Sequence, residues 1–292
     1  MRKNVARPGV PVHSLAGIKR LRHSRGFLFD MDGTLVLGDK TNHGLNPLPG
    51  ALEITQFLEG RGVPFVLFTN GTARTPQEYV EMLRAISFLL PDNGVMTPAS
   101  SAADYFRRRG YKRVLTLGGE GLQKPLRDAG MEIVVPEGKP AVDAVLVGWF
   151  REFTMSALEA ACYAAWNGAK VYSCSQSLFF ATSNGKALGT SRAISAMIKD
   201  LTGARINVIG KPSLEALRCA ARQLGLHTKE LAVVGDDPSL EIPMALRGGA
   251  LAVAVNTGVG AADSYAHLPK KQRPHLTVHD VGELLMLYKG QS

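Results

Sequence analysis

The stretch GFLFDMDGTLVLG, residues 26–38, places two aspartates, Asp30 and Asp32, at the end of an apolar run. Unbroken apolar character over several residues is typical of a strand that is buried on both faces. A buried carboxylate is unfavourable without a partner, and two neighbouring carboxylates repel each other unless a cation lies between them. The stretch therefore predicts a buried strand that ends in a cation-binding turn at Gly33.

Apolar runs of this kind alternate with segments of helical periodicity along the chain. The other runs occupy residues 63–70, 113–119, 143–148, 169–174, 206–210, 231–237 and 250–258. Helical segments include 50–60, 213–226 and 154–168, and in the last of these Ser156 and Glu159 have the spacing of a capping box. Strands that alternate with helices predict an α/β protein with parallel sheets and right-handed crossovers.

Four of the predicted strands end in polar residues. Besides the strand that ends at Asp30, the candidates are the ends at Thr69-Asn70-Gly71, Gly210-Lys211-Pro212 and Gly235-Asp236-Asp237. Ligands of open parallel sheets gather beyond the carboxyl ends of the strands. We therefore expect these side chains to form one site.

The acids of this predicted site match the preferences of Mg²⁺. This ion favours oxygen ligands and commonly takes one or two carboxylates together with phosphate and water. Asp30, Asp32 and Asp236 would supply such a set, and the ion would offset the repulsion between a carboxylate and an incoming phosphate. Under those conditions a carboxylate such as that of Asp30 can act as a nucleophile and form an aspartyl-phosphate.

The second and third strand ends carry groups that bind phosphate. Thr69, Asn70 and Gly71 offer a hydroxyl and amide groups to phosphate oxygens. Lys211 offers a compact positive charge that can pair both with phosphate and with the carboxylate of the nucleophile. These residues are the predicted substrate phosphate-binding set.

The bulk composition excludes several other classes of protein. The 292 residues are 45% hydrophobic, and 34 Lys and Arg against 25 Asp and Glu give a net charge of +9, which attracts anionic ligands. The basic residues form small clusters without interleaved aromatic residues, which argues against nucleic-acid binding, and no run reaches the length of a membrane span. Cys162, Cys174 and Cys219 lack metal or disulfide spacing, so a reduced, cytoplasmic setting is expected.

The positions of the polar strand ends divide the chain into three parts. Residues 26–98 and 206–292 carry all four ends and are expected to form a core domain, and residues 99–205 an inserted α/β domain. Residues 1–25 are basic and contain two prolines, so we expect them to be loosely ordered.

Four short motifs resemble those of a known superfamily. FDMDGTL, FTNG, GKP and VVGDD occur in the order of motifs one to four of the haloacid dehalogenase (HAD) superfamily of phosphohydrolases. The long segment between FTNG and GKP is similar to the cap of class IIA, the group of NagD-like and p-nitrophenyl phosphatases. Further matches to that class are TPASSAADYF (97–106), DAVLVGWFREFT (143–154) and VIGKPSLEALRCAARQLGL (208–226). The resemblance implies a Rossmann-like parallel sheet core with an inserted α/β cap domain.

The resemblance also implies roles for individual residues. Asp30 matches the nucleophile, and Asp32 matches the general acid that protonates the leaving alkoxide and then activates water. Thr69 and Lys211 match phosphate-binding residues. Asp236 matches a Mg²⁺ ligand that acts together with Asp30 and the main-chain carbonyl of Asp32. The implied reaction is Mg²⁺-dependent hydrolysis of a small-molecule phosphate ester, and a cap-mediated homodimer is the implied assembly.

The sequence departs from the superfamily pattern in two places. Glu241 stands where a second aspartate is usual, so Glu241 and Asp237 either reach the metal through its bound water or cap the following helix. In the cap, residues 172–177 replace an Asn and an Asp that many relatives have, and Arg151 and Phe153 are expected to line the same cleft. A relative's substrate therefore cannot be transferred to this chain.

Two other functions remain as alternatives. A dehalogenase shares the fold and the nucleophile but has no need of acids that assemble a metal site, so Asp32, Asp236 and Glu241 weigh against it. A non-catalytic sensor would bind a phosphorylated metabolite and signal through its cap. The altered cap loop and the charge of +9 keep the sensor open.

Overall fold

A computed structural model describes residues 14–38, 44–182, 185–258, 265 and 267–290, with the backbone alone at 179–182 and 185–187. The helices are α1 (Leu15–Arg22), α2 (Ala51–Gly60), α3 (Pro76–Arg84), α4 (Pro98–Arg109), α5 (Glu120–Asp128), α6 (Met155–Trp166), α7 (Thr190–Thr202), α8 (Leu214–Gln223), α9 (Glu241–Gly248) and α10 (Val281–Lys289). The strands are β1 (Gly26–Asp30), β2 (Val36–Leu37), β3 (Asn46–Pro47), β4 (Phe65–Phe68), β5 (Val95–Met96), β6 (Arg113–Leu117), β7 (Glu132–Val134), β8 (Ala144–Val147), β9 (Lys170–Ser173), β10 (Phe179–Thr182), β11 (Gly185–Leu188), β12 (Ile206–Val208), β13 (Leu231–Gly235), β14 (Leu251–Val255) and β15 (Leu276–Val278). In this described part of the chain, no helix is both long and apolar enough to cross a membrane.

Six parallel strands form the first sheet, in the order β15-β14-β13-β1-β4-β5. Side chains of β1 alternate between the two faces, as the period of two in a strand requires. Phe27 and Phe29 pack into a core with α2 and α10, whereas Leu28 packs into a core with α8 and α9 on the other face. Because helices cover both faces, β1 is apolar throughout, as its sequence predicts.

Five parallel strands form the second sheet, in the order β12-β9-β8-β6-β7. Helices α6 and α7 pack on one face, and α4 and α5 pack on the other. Both sheets are therefore parallel and covered by helices, which is the α/β architecture that the alternation of strands and helices predicts.

One strand lies in a different sheet from the one expected. Residues from 206 onward are expected to belong to the core domain, but β12 pairs with β9 of the second sheet, with Ile206 opposite Val171. An apolar run predicts a strand, but it does not say which sheet will include it. The chain therefore returns to the first sheet only after Val208, and the remaining domain boundaries stay predictions.

The start of α6 differs from the expected capping box at Ser156 and Glu159. The helix begins at Met155, and the hydroxyl of Thr154 accepts the N–H of Ala157 at 3.2 Å. Thr154 has the extended backbone of an N-cap, with φ of −122° and ψ of 163°. A box at Ser156 would need a helix that begins later, so this prediction is wrong.

The N-terminal segment is partly helical. The sequence predicts loose order over residues 1–25, but residues 15–22 form α1, whose N-cap Ser14 accepts the N–H of Gly17 at 3.0 Å. Leu21 of this helix is fully buried in the core of the first sheet. The prediction therefore fails for α1, and residues 1–13 lie outside the described residues.

Candidate active site

The carboxyl edge of the first sheet brings together residues that follow three central strands. Asp30, the last residue of β1, is buried and pairs in register with Phe68, the last residue of β4. On its other side β1 pairs with β13, which ends at Gly235. Thr69 and Asp236 therefore follow the two strands that flank Asp30.

The turn after β1 holds Asp30 and Asp236 next to each other. Gly33 in this turn has a φ of +85°, and a Cβ at this position would lie 2.7 Å from Oδ2 of Asp236, so the turn requires glycine. Thr34 donates its hydroxyl to Oδ2 of Asp30 at 3.1 Å and lies 3.5 Å from Oδ1 of Asp236. One hydroxyl thus spans both carboxylates. Thr34 was not predicted as a site residue, although its place in the same turn as Asp30 and Asp32 is a signal for that role.

Asp32 is open to solvent, but its carboxylate lies close to other polar groups. The hydroxyl of Thr69 donates to Oδ2 of Asp32 at 3.2 Å. Although part of the residue is exposed, protein atoms surround its carboxylate, and this desolvation together with repulsion from Asp30 raises the pKa of Asp32 to about 6, against the lowering effects of Lys211 and Thr69. The carboxyl group therefore gains and loses its proton close to neutrality, as a general acid and base must.

Lys211 is a buried cation with three acceptors around its ammonium group. Its Nζ forms an ion pair with Oδ1 of Asp30, lies 2.8 Å from Oε1 of Glu241 and donates to the main-chain carbonyl of Phe68 at 2.8 Å. Burial lowers the pKa of Lys211, but Asp30 and Glu241 outweigh that effect and raise the pKa above its usual range. The lysine therefore stays positively charged.

Glu241 contacts the lysine in the first turn of α9. The side chain is buried, its Oε1 faces Nζ of Lys211, and its Oε2 accepts the N–H of Asp237 at 3.3 Å. Burial and repulsion from Asp30 and Asp236 raise the pKa of Glu241, against the attraction of Lys211. The ion pair with Lys211 was not among the alternatives for Glu241, and a contact with metal-bound water stays a prediction.

Asp237 closes the turn that precedes α9. Its Oδ1 accepts the N–H of Ser239 at 2.7 Å and the hydroxyl of the same residue at 2.6 Å. An aspartate that bonds to the backbone two residues later is typical of a local turn. The following helix, α9, begins at Glu241 with Leu240 as its N-cap and without a side-chain hydrogen bond at the cap, so the capping alternative for Asp237 is wrong. A contact of Asp237 with metal-bound water stays a prediction.

The loop after β4 directs its side chains toward the protein. The hydroxyl of Thr69 accepts the N–H of Gly71 at 3.0 Å. The side-chain oxygen of Asn70 accepts the N–H of Lys211 at 2.9 Å, and its amide nitrogen donates to the carbonyl of Lys211 at 3.1 Å. Because the side chain of Asn70 is used in this way, its expected role in phosphate binding is left to its main chain. Phosphate binding by Thr69, Gly71 and Lys211 stays a prediction.

A loop of the second sheet contacts the same region. The hydroxyl of Thr72 accepts the N–H of Trp149 at 2.8 Å. Phe153 is half-buried and packs edge to face with Phe150 at a ring distance of 6.3 Å, whereas Arg151 is exposed. The contact of Thr72 with Trp149 was not predicted from the sequence, and the lining of a cleft by Arg151 and Phe153 stays a prediction.

The donor atoms at the sheet edge fit Mg²⁺. Asp30 and Asp236 present carboxylates linked by Thr34, and a Cβ at Gly258 would lie 1.9 Å from Oδ2 of Asp236, so the backbone closes tightly around this acid. Among the described residues, no group of three Asp, Glu, His or Cys side chains could by itself hold a metal ion. If the main-chain carbonyl of Asp32 joined these two carboxylates, as the resemblance implies, the set would leave positions for water and phosphate, which Mg²⁺ prefers.

Comparisons with known proteins agree with this architecture. A family model described as haloacid dehalogenase-like hydrolase matches residues 27–132, and a second, described as HAD-hydrolase-like, matches residues 208–284. The acid sugar phosphatase of Staphylococcus epidermidis is 29% identical over 255 residues, which cover 87% of this chain and 93% of the relative.

Solved structures show the same fold over nearly the whole chain. The 4-nitrophenylphosphatase from Thermotoga maritima aligns with a TM-score of 0.79 at 26% identity, and the alignment covers 91% of this chain and 97% of that phosphatase. NagD from E. coli K-12 aligns with a TM-score of 0.78 at 26% identity, and the alignment covers 89% of this chain and 97% of NagD. A glycerol phosphate phosphatase from Mycobacterium tuberculosis, crystallised with magnesium, aligns with a TM-score of 0.79 at 26% identity, and the alignment covers 91% of this chain and 77% of that phosphatase.

The parallel sheet with converging carboxylates, the family models and these structures define one class of enzyme fold. The chain belongs to the haloacid dehalogenase-like hydrolases. Its similarity to NagD and to 4-nitrophenylphosphatase over both sheets agrees with the class IIA cap that the sequence predicts.

Proposed function

We propose that this protein is a phosphatase that hydrolyses a small phosphomonoester with the help of Mg²⁺, through an aspartyl-phosphate on Asp30. The observation that carries the proposal is the contact of one hydroxyl, that of Thr34, with Asp30 and Asp236, because it brings a candidate nucleophile and a candidate metal ligand to one point. The relatives named acid sugar phosphatase, 4-nitrophenylphosphatase and glycerol phosphate phosphatase support a small phosphate ester as the substrate.

In the first half of the reaction, a carboxylate oxygen of Asp30 attacks phosphorus and the bond from phosphorus to the ester oxygen breaks. Asp32, in its protonated form, gives its proton to the leaving alkoxide, which departs as an alcohol. A pKa of about 6 supports this role, because about a tenth of the carboxyl groups still carries a proton at about pH 7, far more than at the ordinary pKa of an aspartate. Lys211 lies against Asp30 and would hold a phosphate oxygen beside the nucleophile.

In the second half, Asp32 is ionised and takes a proton from a water molecule. That water attacks phosphorus, and the bond between phosphorus and the oxygen of Asp30 breaks. Inorganic phosphate leaves, and Asp30 returns to its carboxylate form with Asp32 protonated for the next cycle. Exposure of Asp32 to solvent supports this role, since water must reach it.

Asp30, Asp236 and the main-chain carbonyl of Asp32 would hold the metal ion. When bound, Mg²⁺ supplies positive charge that offsets repulsion between the phosphate and the carboxylates. Thr34 fixes the carboxylates of Asp30 and Asp236 at that point, and Lys211 balances further negative charge.

The expected cellular setting also belongs to this proposal. The three cysteines are free and buried, which supports the cytoplasm as the location. A homodimer formed through the cap, and the absence of nucleic-acid binding, stay predictions.

Asp30→Asn tests the proposal with p-nitrophenyl phosphate and Mg²⁺. We expect it to remove turnover, because an amide cannot serve as the nucleophile. The matched control is Asp128→Asn, which neutralises an exposed aspartate of α5 that pairs with Lys124, and it should retain wild-type turnover. Undiminished turnover by Asp30→Asn would contradict the mechanism, and phosphate binding without turnover by the wild type would favour the sensor.

A further inference from the structure

Lys211 occupies the place where the chain passes from one sheet to the other. Strand β12 ends at Val208 in the second sheet, and α8, which packs on the first sheet, begins at Leu214. Lys211 lies between these two elements, yet its ammonium is buried at the edge of the first sheet against Asp30. A displacement of the second sheet would therefore pull directly on the chain that carries this lysine.

The side chain of Asn70 holds the main chain of Lys211 on the side of the first sheet. It accepts the N–H of Lys211 at 2.9 Å and donates to the carbonyl of the same residue at 3.1 Å. The side-chain amide of Asn70 thus forms hydrogen bonds with both the N–H and the carbonyl group of Lys211. Asn70 comes two residues after β4 ends at Phe68, whose carbonyl accepts a hydrogen bond from Nζ of Lys211.

The surrounding packing leaves this contact little freedom. A Cβ at Gly210 would lie 2.1 Å from the carbonyl oxygen of Cys174, 2.7 Å from the side-chain oxygen of Asn70 and 2.9 Å from a ring carbon of Pro98. Close contact on several sides fixes the chain immediately before Lys211. The amide of Asn70 therefore reaches the main chain of Lys211 only because residue 210 is glycine.

We infer that Asn70 is a positioning residue, which anchors the main chain of Lys211 to the first sheet and thereby holds the lysine against Asp30. Glu241 completes the arrangement from the other side, because its Oε1 lies 2.8 Å from Nζ of the lysine. Asn70 fixes the backbone and Glu241 orients the ammonium group. The inference rests on the proposed phosphatase function.

A double-mutant cycle separates positioning from direct phosphate binding. The variants are Asn70→Ala, Lys211→Met and the combination of both. The control is Asn207→Ala, which removes a similar bond from a side-chain amide to the main chain, since Asn207 donates to the carbonyl of Val171 within the second sheet. Turnover of p-nitrophenyl phosphate and binding of inorganic phosphate are both measured in Mg²⁺, so the cycle can be read even where turnover is very low.

In the wild-type background, Asn70→Ala should lower kcat/KM by about tenfold to a hundredfold, the effect of losing two neutral hydrogen bonds. In the Lys211→Met background, the same substitution should change kcat/KM and the Kd of phosphate by less than about twofold, because the lysine that Asn70 positions is gone. Asn207→Ala should match the wild type. If Asn70→Ala does not fold, Asn70→Asp takes its place, since it keeps the acceptor for the N–H of Lys211 and loses the donor.

Equal losses from the Asn70 substitution in both backgrounds would overturn the inference and assign the side chain to phosphate directly. An equally large loss of kcat/KM in Asn207→Ala would overturn the inference as well, because the effect would then follow from the loss of any such side-chain bond near Lys211. A wild type that neither turns over the substrate nor binds phosphate would instead refute the proposed function on which the inference rests. The two failures are therefore distinguishable.

Discussion

Removal of the buried lysine should destabilise the first sheet strongly. Lys211 is 2% exposed, and its ammonium is the partner of two buried carboxylates, those of Asp30 and Glu241. Lys211→Met keeps much of the apolar volume of the side chain but leaves both acids without this counter-charge. Breaking a buried ion pair by removal of one partner costs about 3–5 kcal/mol of the free energy of unfolding.

The loss of unfolding free energy in Lys211→Met should depend on pH. Burial already raises the pKa of Glu241, and without the lysine this pKa should rise further, because the attraction that favours the charged form of Glu241 is gone. In the folded wild type the pKa of Glu241 is about 8, so at about pH 6 this acid carries a proton with or without the lysine, whereas at about pH 9 only the variant must keep the proton or bury an uncompensated charge. We therefore expect a loss of about 3 kcal/mol at the higher pH and a smaller loss at the lower pH.

Urea unfolding of the metal-free protein, followed at both pH values, measures this difference. The matched control is Lys124→Met, which removes an exposed ion pair with Asp128 at 2.9 Å. That pair lies within one helix at the surface and should contribute only about 0.3–0.5 kcal/mol. A loss for Lys211→Met below about 1 kcal/mol, or one that does not change with pH, would refute this account of the buried charges.

Three further substitutions test single features of the site. Asp236→Asn should raise the Mg²⁺ concentration needed for half-maximal turnover by at least about tenfold, as measured by titration into chelator-treated enzyme, and an unchanged requirement would remove Asp236 from the metal site. Asp32→Asn should raise the thermal stability of the metal-free protein above about pH 6 but not at about pH 4. The reason is that the stability contributed by protonated Asp32 is lost as the pH rises from 3.8, the ordinary pKa, through the folded-state pKa of about 6. Equal shifts of the melting temperature at both pH values would contradict this. Gly33→Ala should cost at least about 1–2 kcal/mol in urea unfolding, since an L side chain is strained at a φ of +85° and would meet Asp236, and an unchanged midpoint would contradict the geometry.

The long strands were predictable from the sequence because they are apolar without interruption. The central strands of the first sheet are β1, β4, β13 and β14, and helices cover both faces of this sheet. Their burial on both faces requires consecutive apolar residues, which the sequence shows. The short strands β5, β7 and β15 carry no comparable pattern and were not predicted. The sheet to which β12 belongs depends on pairing with a strand over thirty residues earlier, which local composition does not encode.

The acids Asp30 and Asp236 were predictable because each ends a strand or directly follows one. Asp30 and Asp236 lie at the ends of neighbouring parallel strands, so sequence position alone brings them together once the sheet forms. The contacts of Asn70 and Glu241 with Lys211 were not predictable, since they join residues 141 and 30 positions apart through side-chain geometry. A polar residue after a strand predicts membership of the site, but its partner emerges only from the folded chain.

The most direct test of the mechanism is to trap the phosphoryl group on the protein. Asp32→Asn cannot activate water, but p-nitrophenolate leaves without a proton, so the first half of the reaction should proceed and the second should stall. The variant is mixed with p-nitrophenyl phosphate and Mg²⁺, quenched in acid and mapped by peptide mass spectrometry. We predict a phosphoryl group on the peptide that contains Asp30; a wild type that turns over the substrate while the variant carries the group on another residue would contradict the central claim.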